Sequence, residues 1–241
     1  MVRAVFFDVG NTLLFPYPSV AEVCREVFAD AGHDRERTDI EGLMPLVDEY
    51  YEDAYGRDDT FWADENRTAE VWIGMYSLLA RKLGIQDEAV AAALADRIYR
   101  EFGNPARWMP YADVASAFER LRARGVGIGI ISNWDSRLES ILAELGLGRM
   151  IDVVVSSAAV GLHKPDPRIF EHACEALGVL PHEAVHVGDH HYADIIGASA
   201  AGLRPVLIDR HGIDRHGSAL ATLDLLEYSL GWVDVPAELP V

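Results

Sequence analysis

The chain has 241 residues, 50% hydrophobic and 25% charged, which suits a globular protein able to bury one large core or a core plus a smaller unit. Its net charge of −18 excludes nucleic acid and anionic membrane surfaces as expected partners, and a small anionic substrate would need a metal ion or a locally positive pocket. No apolar run reaches the ~18 residues of a membrane span and no basic–apolar leader opens the chain, so a cytoplasmic protein is expected.

In chain order, Val2, Ala4, Val5, Phe6 and Phe7 predict a short buried strand that ends at Asp8, with Gly10 and Asn11 as turn formers behind it. A carboxylate at such a strand end can be a nucleophile or a metal ligand, or can simply start a turn. Residues 19–102 then read as almost wholly helical. Val20, Val23, Cys24, Val27 and Phe28 recur at helical spacing ahead of Gly32; Leu43, Leu46, Val47 and Tyr50 repeat the pattern. Val71, Trp72, Met75, Leu78 and Leu79 precede Gly84, and residues 89–102 make a fourth helix, so a helical bundle is expected. Its aromatics Tyr50, Tyr51, Tyr55, Phe61, Trp62, Trp72 and Tyr76 read as bundle core or a dimer contact rather than a substrate platform. Cys24 and Cys174 sit in helix-like apolar runs and read as buried free thiols.

From about residue 111 helix and strand alternate. Helices are predicted over 114–124, 137–145, 167–177 and 193–201, and strands over 126–131, 153–155, 184–187 and 205–208. Asp166 and Pro167 have the character of an N-cap and first helical residue, and Gly178 of a stop. This alternation predicts an α/β fold, a three-layer Rossmann-like parallel sheet that also contains the first strand. The helical block is therefore an insertion: residues 1–16 and 106–241 form the α/β core and 17–105 the inserted all-α unit. An insertion behind a strand end lies over the usual ligand crevice of such sheets and is a candidate lid.

Polar residues follow four apolar segments: Asp8 and Thr12, then Ser132 and Asn133, then Lys164, then Asp189 and Asp194. Each alone is ordinary loop or cap chemistry; in a parallel sheet all would converge on one edge. Together they suit phosphoryl transfer. A carboxylate nucleophile and a phosphate repel one another, and need a divalent metal, cations and hydrogen-bond donors between and around them. Asp8 and Asp189 offer hard oxygens suited to Mg²⁺, Lys164 a point charge, and Ser132 a hydroxyl. His190 and His191 border this cleft and read as loop-lining residues, or as acid/base or metal-binding groups; His186 reads as a strand residue.

As a set, D-x-x-x-T, a strand-end Ser, K-P and G-D-x-x-x-x-D-x-x-G-A resemble the haloacid dehalogenase superfamily, matching Asp8 and Thr12, Ser132, Lys164 and Pro165, and Gly188, Asp189, Asp194, Gly197 and Ala198. The inserted helices resemble the cap of its helical-cap branch. The resemblance implies an Mg²⁺-dependent hydrolase of a small phosphorylated metabolite, monomeric or homodimeric, working through an aspartyl-phosphate on Asp8. It implies Mg²⁺ held by Asp8, the carbonyl of Gly10 and Asp189, phosphate held by Thr12, Ser132, Asn133 and Lys164, and Asp194 assisting through water or by orienting Lys164. One departure stands out: family phosphatases carry a second Asp, the general acid/base, where this chain has Gly10. Such catalysis is typically worth about 10²–10⁴-fold, so a slow enzyme is expected. The alternatives are a 2-haloacid dehalogenase, although that branch lacks the metal-type aspartate pair and uses a cap arginine; a phosphonatase-like enzyme, for which Lys82 is the one cap lysine; or a catalytically weak binding or regulatory protein.

Overall fold

Seven strands are present among the described residues: β1 (Ala4–Phe7), β2 (Leu14–Pro16), β3 (Trp108–Pro110), β4 (Gly127–Ser132), β5 (Val153–Ser156), β6 (Ala184–Gly188) and β7 (Arg204–Leu207). The structure is a computed structural model that describes residues 1–213 and 219–233; 214–218 and 234–241, part of the expected core segment 106–241, lie outside the described residues. Five strands form one parallel sheet in the order β5–β4–β1–β6–β7. β1 is thus central, with Phe7 level with Ile130 on one side and Val187 on the other. This register brings the ends of β1, β4 and β6 to one edge, where Asp8, Ser132 and Asp189 follow.

Side chains alternate across the sheet with a period of two. Val5 and Phe7 enter a core beneath the helices Val114–Ala123 and Leu138–Glu144, with Phe118, Leu121, Leu138 and Ile141. Ala4 and Phe6 enter the opposite core, with Ile169, Phe170 and Ala173. The fully buried Phe6 and Phe7 stabilise β1 by roughly 1.5–3 kcal/mol each relative to exposure. The α/β expectation therefore holds, with helices on both faces of a parallel sheet.

Between Val20 and Glu101 the chain forms α1 (Val20–Asp30), α2 (Arg37–Glu41), α3 (Met44–Arg57), α4 (Glu65–Lys82) and α5 (Glu88–Glu101). A 3₁₀ turn, Asp59–Ala63, joins α3 to α4. Ser19, Asp64 and Asp87 cap α1, α4 and α5 by accepting backbone N–H groups of the first turns. Val23, Val27, Phe28, Leu79, Leu94 and Ile98 share a third core distinct from those of the sheet. The four expected helices are present, and the five-residue α2 is an addition too short to show periodicity. The remaining helices are α6 (Val114–Ala123), α7 (Leu138–Glu144), α8 (Ser157–Val160), α9 (Pro167–Leu177), α10 (Gly197–Ala200) and α11 (Leu226–Ser229). Asp166 caps α9, and Gly178 ends it in the left-handed region at φ +66°, as expected.

Two features differ from the sequence reading. β2 and β3 pair antiparallel, so the chain leaves the sheet and returns to it along adjacent straps. Strands of three residues leave no alternation to detect. The helix expected over 193–201 opens as a wide π-type turn, His191–Ile196, before α10. The turn wraps a buried carboxylate: Asp194 accepts the backbone N–H of His190, and a Cβ on Gly188 would lie 2.2 Å from its Cγ. Cys24 and Cys174 are free and buried, and burial pushes their thiols up to about 12 and about 11. Among the described residues no helix is long and apolar enough to cross a membrane.

Candidate active site

Asp8 lies directly beyond β1, and its backbone N–H donates to Val187 O on β6. Its Oδ1 accepts hydrogen bonds from Ser132 Oγ at 2.9 Å and Lys164 Nζ at 2.6 Å. No hydrogen bond to Oδ2 occurs among the described residues, so that oxygen has its lone pairs available. Lys164 Nζ also donates to Asp194 Oδ1 at 2.6 Å. Asp194 accepts at the same oxygen from His186 Nε2, 2.9 Å away, and at Oδ2 from His190 N. Against a carboxylate acceptor, Nε2 carries the imidazole proton, leaving Nδ1 buried and unpartnered.

The charges explain one another. Burial would lower the Lys164 ammonium, but Asp194 and Asp8 outweigh it and hold the group well above its ordinary value. Burial likewise opposes ionisation of Asp194, while Lys164 and the His186 hydrogen bond hold its carboxyl well below the usual range. Burial lowers His186, which stays neutral. Among the described residues no cation is in contact with Asp189, and Lys164 opposes its shift only from a distance. Burial, then Asp8 and Asp194 as like-charged neighbours, push it up to about 7.

Carboxylate oxygens of Asp8, Asp189 and Asp194 all lie within 4.8 Å of one another. Asp194 is already committed to Lys164, His186 and the His190 amide. Asp8 and Asp189 are the pair with oxygens to offer, and their mutual repulsion is what a hard divalent cation would relieve. The residues present therefore fit such an ion.

The other expected residues are placed as follows. Gly10 lines the cavity, and a Cβ there would meet only Trp134 Cζ3 at 3.9 Å, ordinary contact. Asn133 clamps the Lys164 backbone from both sides, Nδ2 donating to its carbonyl and Oδ1 accepting from its N–H. Thr12, expected at the phosphate, is fully buried and does not line the cavity; its hydroxyl donates to Asp189 Oδ1 at 3.3 Å. The chain turns at Asn11, in the left-handed region at φ 52°, with Asn11 N bonded to Leu14 O, and this turn carries Thr12 into the interior. His190 lines the cavity and His191 does not; His190 Nδ1 accepts the Ala193 N–H.

A cavity of about 440 Å³ opens above these groups, and α3, α4 and α5 form its far wall. Tyr51, Tyr55, Trp62, Trp72 and Tyr76 line it, and the bundle-core expectation holds in part, since Tyr76 is buried in the helical core and Tyr51 and Trp72 pack against that core. Helical spacing places them on one face but cannot tell whether that face meets a core or a hole. The sequence reading also missed a latch across the cavity. Asp135, buried just beyond β4, pairs with Arg137 at 2.6 Å and accepts the Tyr99 hydroxyl of α5 at 3.0 Å, while Glu65 of α4 accepts the Ser136 N–H. The run S-N-W-D-S-R behind an apolar strand was the available signal.

Residues 2–202 match the haloacid dehalogenase-like hydrolase family. The chain is 33% identical over 217 residues to the haloacid dehalogenase-like hydrolase domain-containing protein 3 of Danio rerio, covering 87% of this chain and 86% of that protein. It is 31% identical over 223 residues to the glyceraldehyde 3-phosphate phosphatase of Methanopyrus kandleri, covering 87% and 85%. The crystal structure of a HAD phosphatase from Thermococcus onnurineus superimposes with a TM-score of 0.64 at 26% identity, over 97% of this chain and all of that one.

Proposed function

Since the chain belongs to the haloacid dehalogenase-like hydrolase family, we propose that it is an Mg²⁺-dependent phosphatase of small phosphate esters with Asp8 as nucleophile and residues 17–105 as a cap. The placement of Asp8 carries this reading: one oxygen is fixed by Ser132 and Lys164, and the other is left to attack. Asp8 Oδ2 forms a bond to phosphorus as the ester P–O bond breaks, the electron pair leaving with the alcohol oxygen. Water then hydrolyses the aspartyl-phosphate. Lys164 and Ser132, now on Asp8, are within reach of the transferring phosphoryl oxygens and stabilise their charge, while Asp194 holds Lys164 in place. Asn133 holds the loop that carries Lys164. Asp8, Asp189 and the Gly10 carbonyl would hold Mg²⁺, which when bound supplies charge neutralisation between nucleophile and phosphate.

The reading is tested by phosphate release that requires added Mg²⁺ and stops with a chelator; halide release from 2-haloacids without metal would favour a dehalogenase instead. Asp189→Ala is expected to abolish Mg²⁺ binding in calorimetric titration, and equal affinity in the two proteins would sink the metal assignment. In the wild type, protons compete for Asp189 below its value of about 7, so Mg²⁺ affinity should fall as pH drops from about 8 to 6.

Gly10 leaves no carboxylate to protonate the leaving group or to activate water. His190 is a poor substitute, since its Nδ1 lone pair is engaged with Ala193. An aryl phosphate should therefore show a burst of phenol equal to the enzyme present, followed by slow turnover. Gly10→Asp, at a position where a Cβ makes only ordinary contact, should shrink the burst and raise turnover at least about tenfold in rapid-mixing experiments. A wild type without a burst that hydrolyses alkyl and aryl phosphates equally fast would show that another group already transfers the proton.

A further inference from the structure

Resting on the phosphatase reading, we infer that the site selects phosphomonoesters whose leaving group is an uncharged planar ring, and disfavours substrates that carry a second anion. Three observations converge on this class.

The first is the wall. Tyr51, Trp72, Tyr76, Phe102, Trp108 and Trp134 all line the cavity, and their rings follow one another. Successive centroids lie 5.9, 6.3, 6.0, 5.8 and 4.7 Å apart. These separations are those of mutually packed aromatics, and the belt shares the cavity with Asp8 and Lys164. A planar ring esterified to a phosphate on Asp8 would be enclosed by further rings. The cavity, about 440 Å³, is of a size that holds a small ring compound with its phosphate.

The second is the lack of an available cation. Among the described residues the basic side chains lining the cavity are Lys164, Arg137 and His190. Lys164 is committed to Asp8 and Asp194. Arg137 donates through Nε and Nη2 to Asp135 and through Nη1 to the Tyr99 carbonyl, with its guanidinium 4.0 Å from the Tyr99 ring centroid. The Nδ1 of His190 accepts from Ala193. The exposed Glu52 adds negative charge to the lining. A substrate carboxylate or second phosphate would be desolvated here without a counter-charge.

The third is polarity left over. Tyr55 and Trp62 line the cavity; the buried Tyr55 hydroxyl has no hydrogen-bond partner among the described residues, and the buried Trp62 indole N–H has the Tyr51 hydroxyl beside it. Trp62 is 7% exposed. Two neutral polar groups suit a ring with a hydrogen-bonding substituent, and neither can neutralise an anion.

The test compares phenyl phosphate with 4-carboxyphenyl phosphate, two aryl esters that differ by one carboxylate, and benzyl phosphate with phosphoglycolate, two alkyl esters. Acetyl phosphate, too small to reach the belt, reports phosphatase activity alone. In each pair the ring ester without the extra anion should have the higher kcat/KM by at least about tenfold, mostly through KM. Trp72→Leu and, independently, Tyr51→Leu keep apolar bulk but remove a ring; each should lower the ratio of phenyl to acetyl phosphate kcat/KM several-fold. If phosphate is released from acetyl phosphate yet the charged partner of each pair is used as well as the ring ester, the selectivity inference is overturned and the phosphatase reading stands. If nothing is turned over, the phosphatase reading fails. Calorimetric titration of the two aryl esters with Mg²⁺ present then decides the inference by itself: tighter binding of phenyl phosphate supports it, and equal affinity overturns it.

Discussion

Asp8→Asn is expected to leave the fold intact and to lower phosphate release at least about 10³-fold, the scale on which loss of a covalent nucleophile is felt. The substitution is nearly isosteric. Lys164 keeps Asp194 as a buried counter-ion, and the amide oxygen can still accept from Ser132, so the cluster has no new unpaired charge. What disappears is the anionic oxygen that, on the proposed function, attacks phosphorus. Mass spectrometry of the wild type quenched during turnover should show a protein heavier by one phosphoryl group, and the variant should not. Retention of more than a few per cent of activity in well-purified variant would remove Asp8 from the role of nucleophile.

Lys164→Met carries the largest expected cost in stability. Among the described residues the lysine is the one cation in contact with the buried carboxylates of Asp8 and Asp194, and removing one partner of such a group typically costs about 3–5 kcal/mol. The loss should also depend on pH. In the wild type Lys164 and His186 hold Asp194 below the ordinary carboxylate range, so it stays ionised in the native state. Without the ammonium, the native cluster takes up a proton on Asp194 or His186 that the wild type does not carry. The native variant thus binds more protons than the native wild type, and stability is lost as pH rises. Denaturant titration without divalent cation should give the full deficit near pH 8 and a smaller one near pH 5. A deficit that is the same at both, or greater at the lower pH, would mean that the two carboxylates do not depend on Lys164 for their charge.

The groups on the floor of the site were legible because each ends an apolar segment, and a parallel sheet has only one edge at which such ends meet. Asp8, Ser132 and Asp189 needed nothing beyond strand register to come together, and Asp166 and Gly178 announced the ends of α9 by residue type. The walls were not legible. Tyr51, Trp72 and Tyr76 satisfy the periodicity of a buried helical face equally well against leucines or against an open cavity. The burial of Thr12 follows the left-handed turn at Asn11, which side-chain chemistry does not announce. The Asp135–Tyr99 contact joins positions 36 residues apart, from units whose mutual placement no local pattern encodes.

The cluster of three carboxylates on a single ammonium has a consequence in terms of linkage. Two negative charges are left without a balancing partner, apart from the proton that Asp189 shares near neutrality. A phosphate dianion is therefore a poor ligand alone and a better one once a divalent cation is in place. By reciprocity, the factor by which the cation raises affinity for the ester is the factor by which the ester raises affinity for the cation. On the proposed function, cation and ester would enter as an ion-paired unit, and release of a proton from Asp189 on assembly would strengthen that coupling as the solution becomes more alkaline.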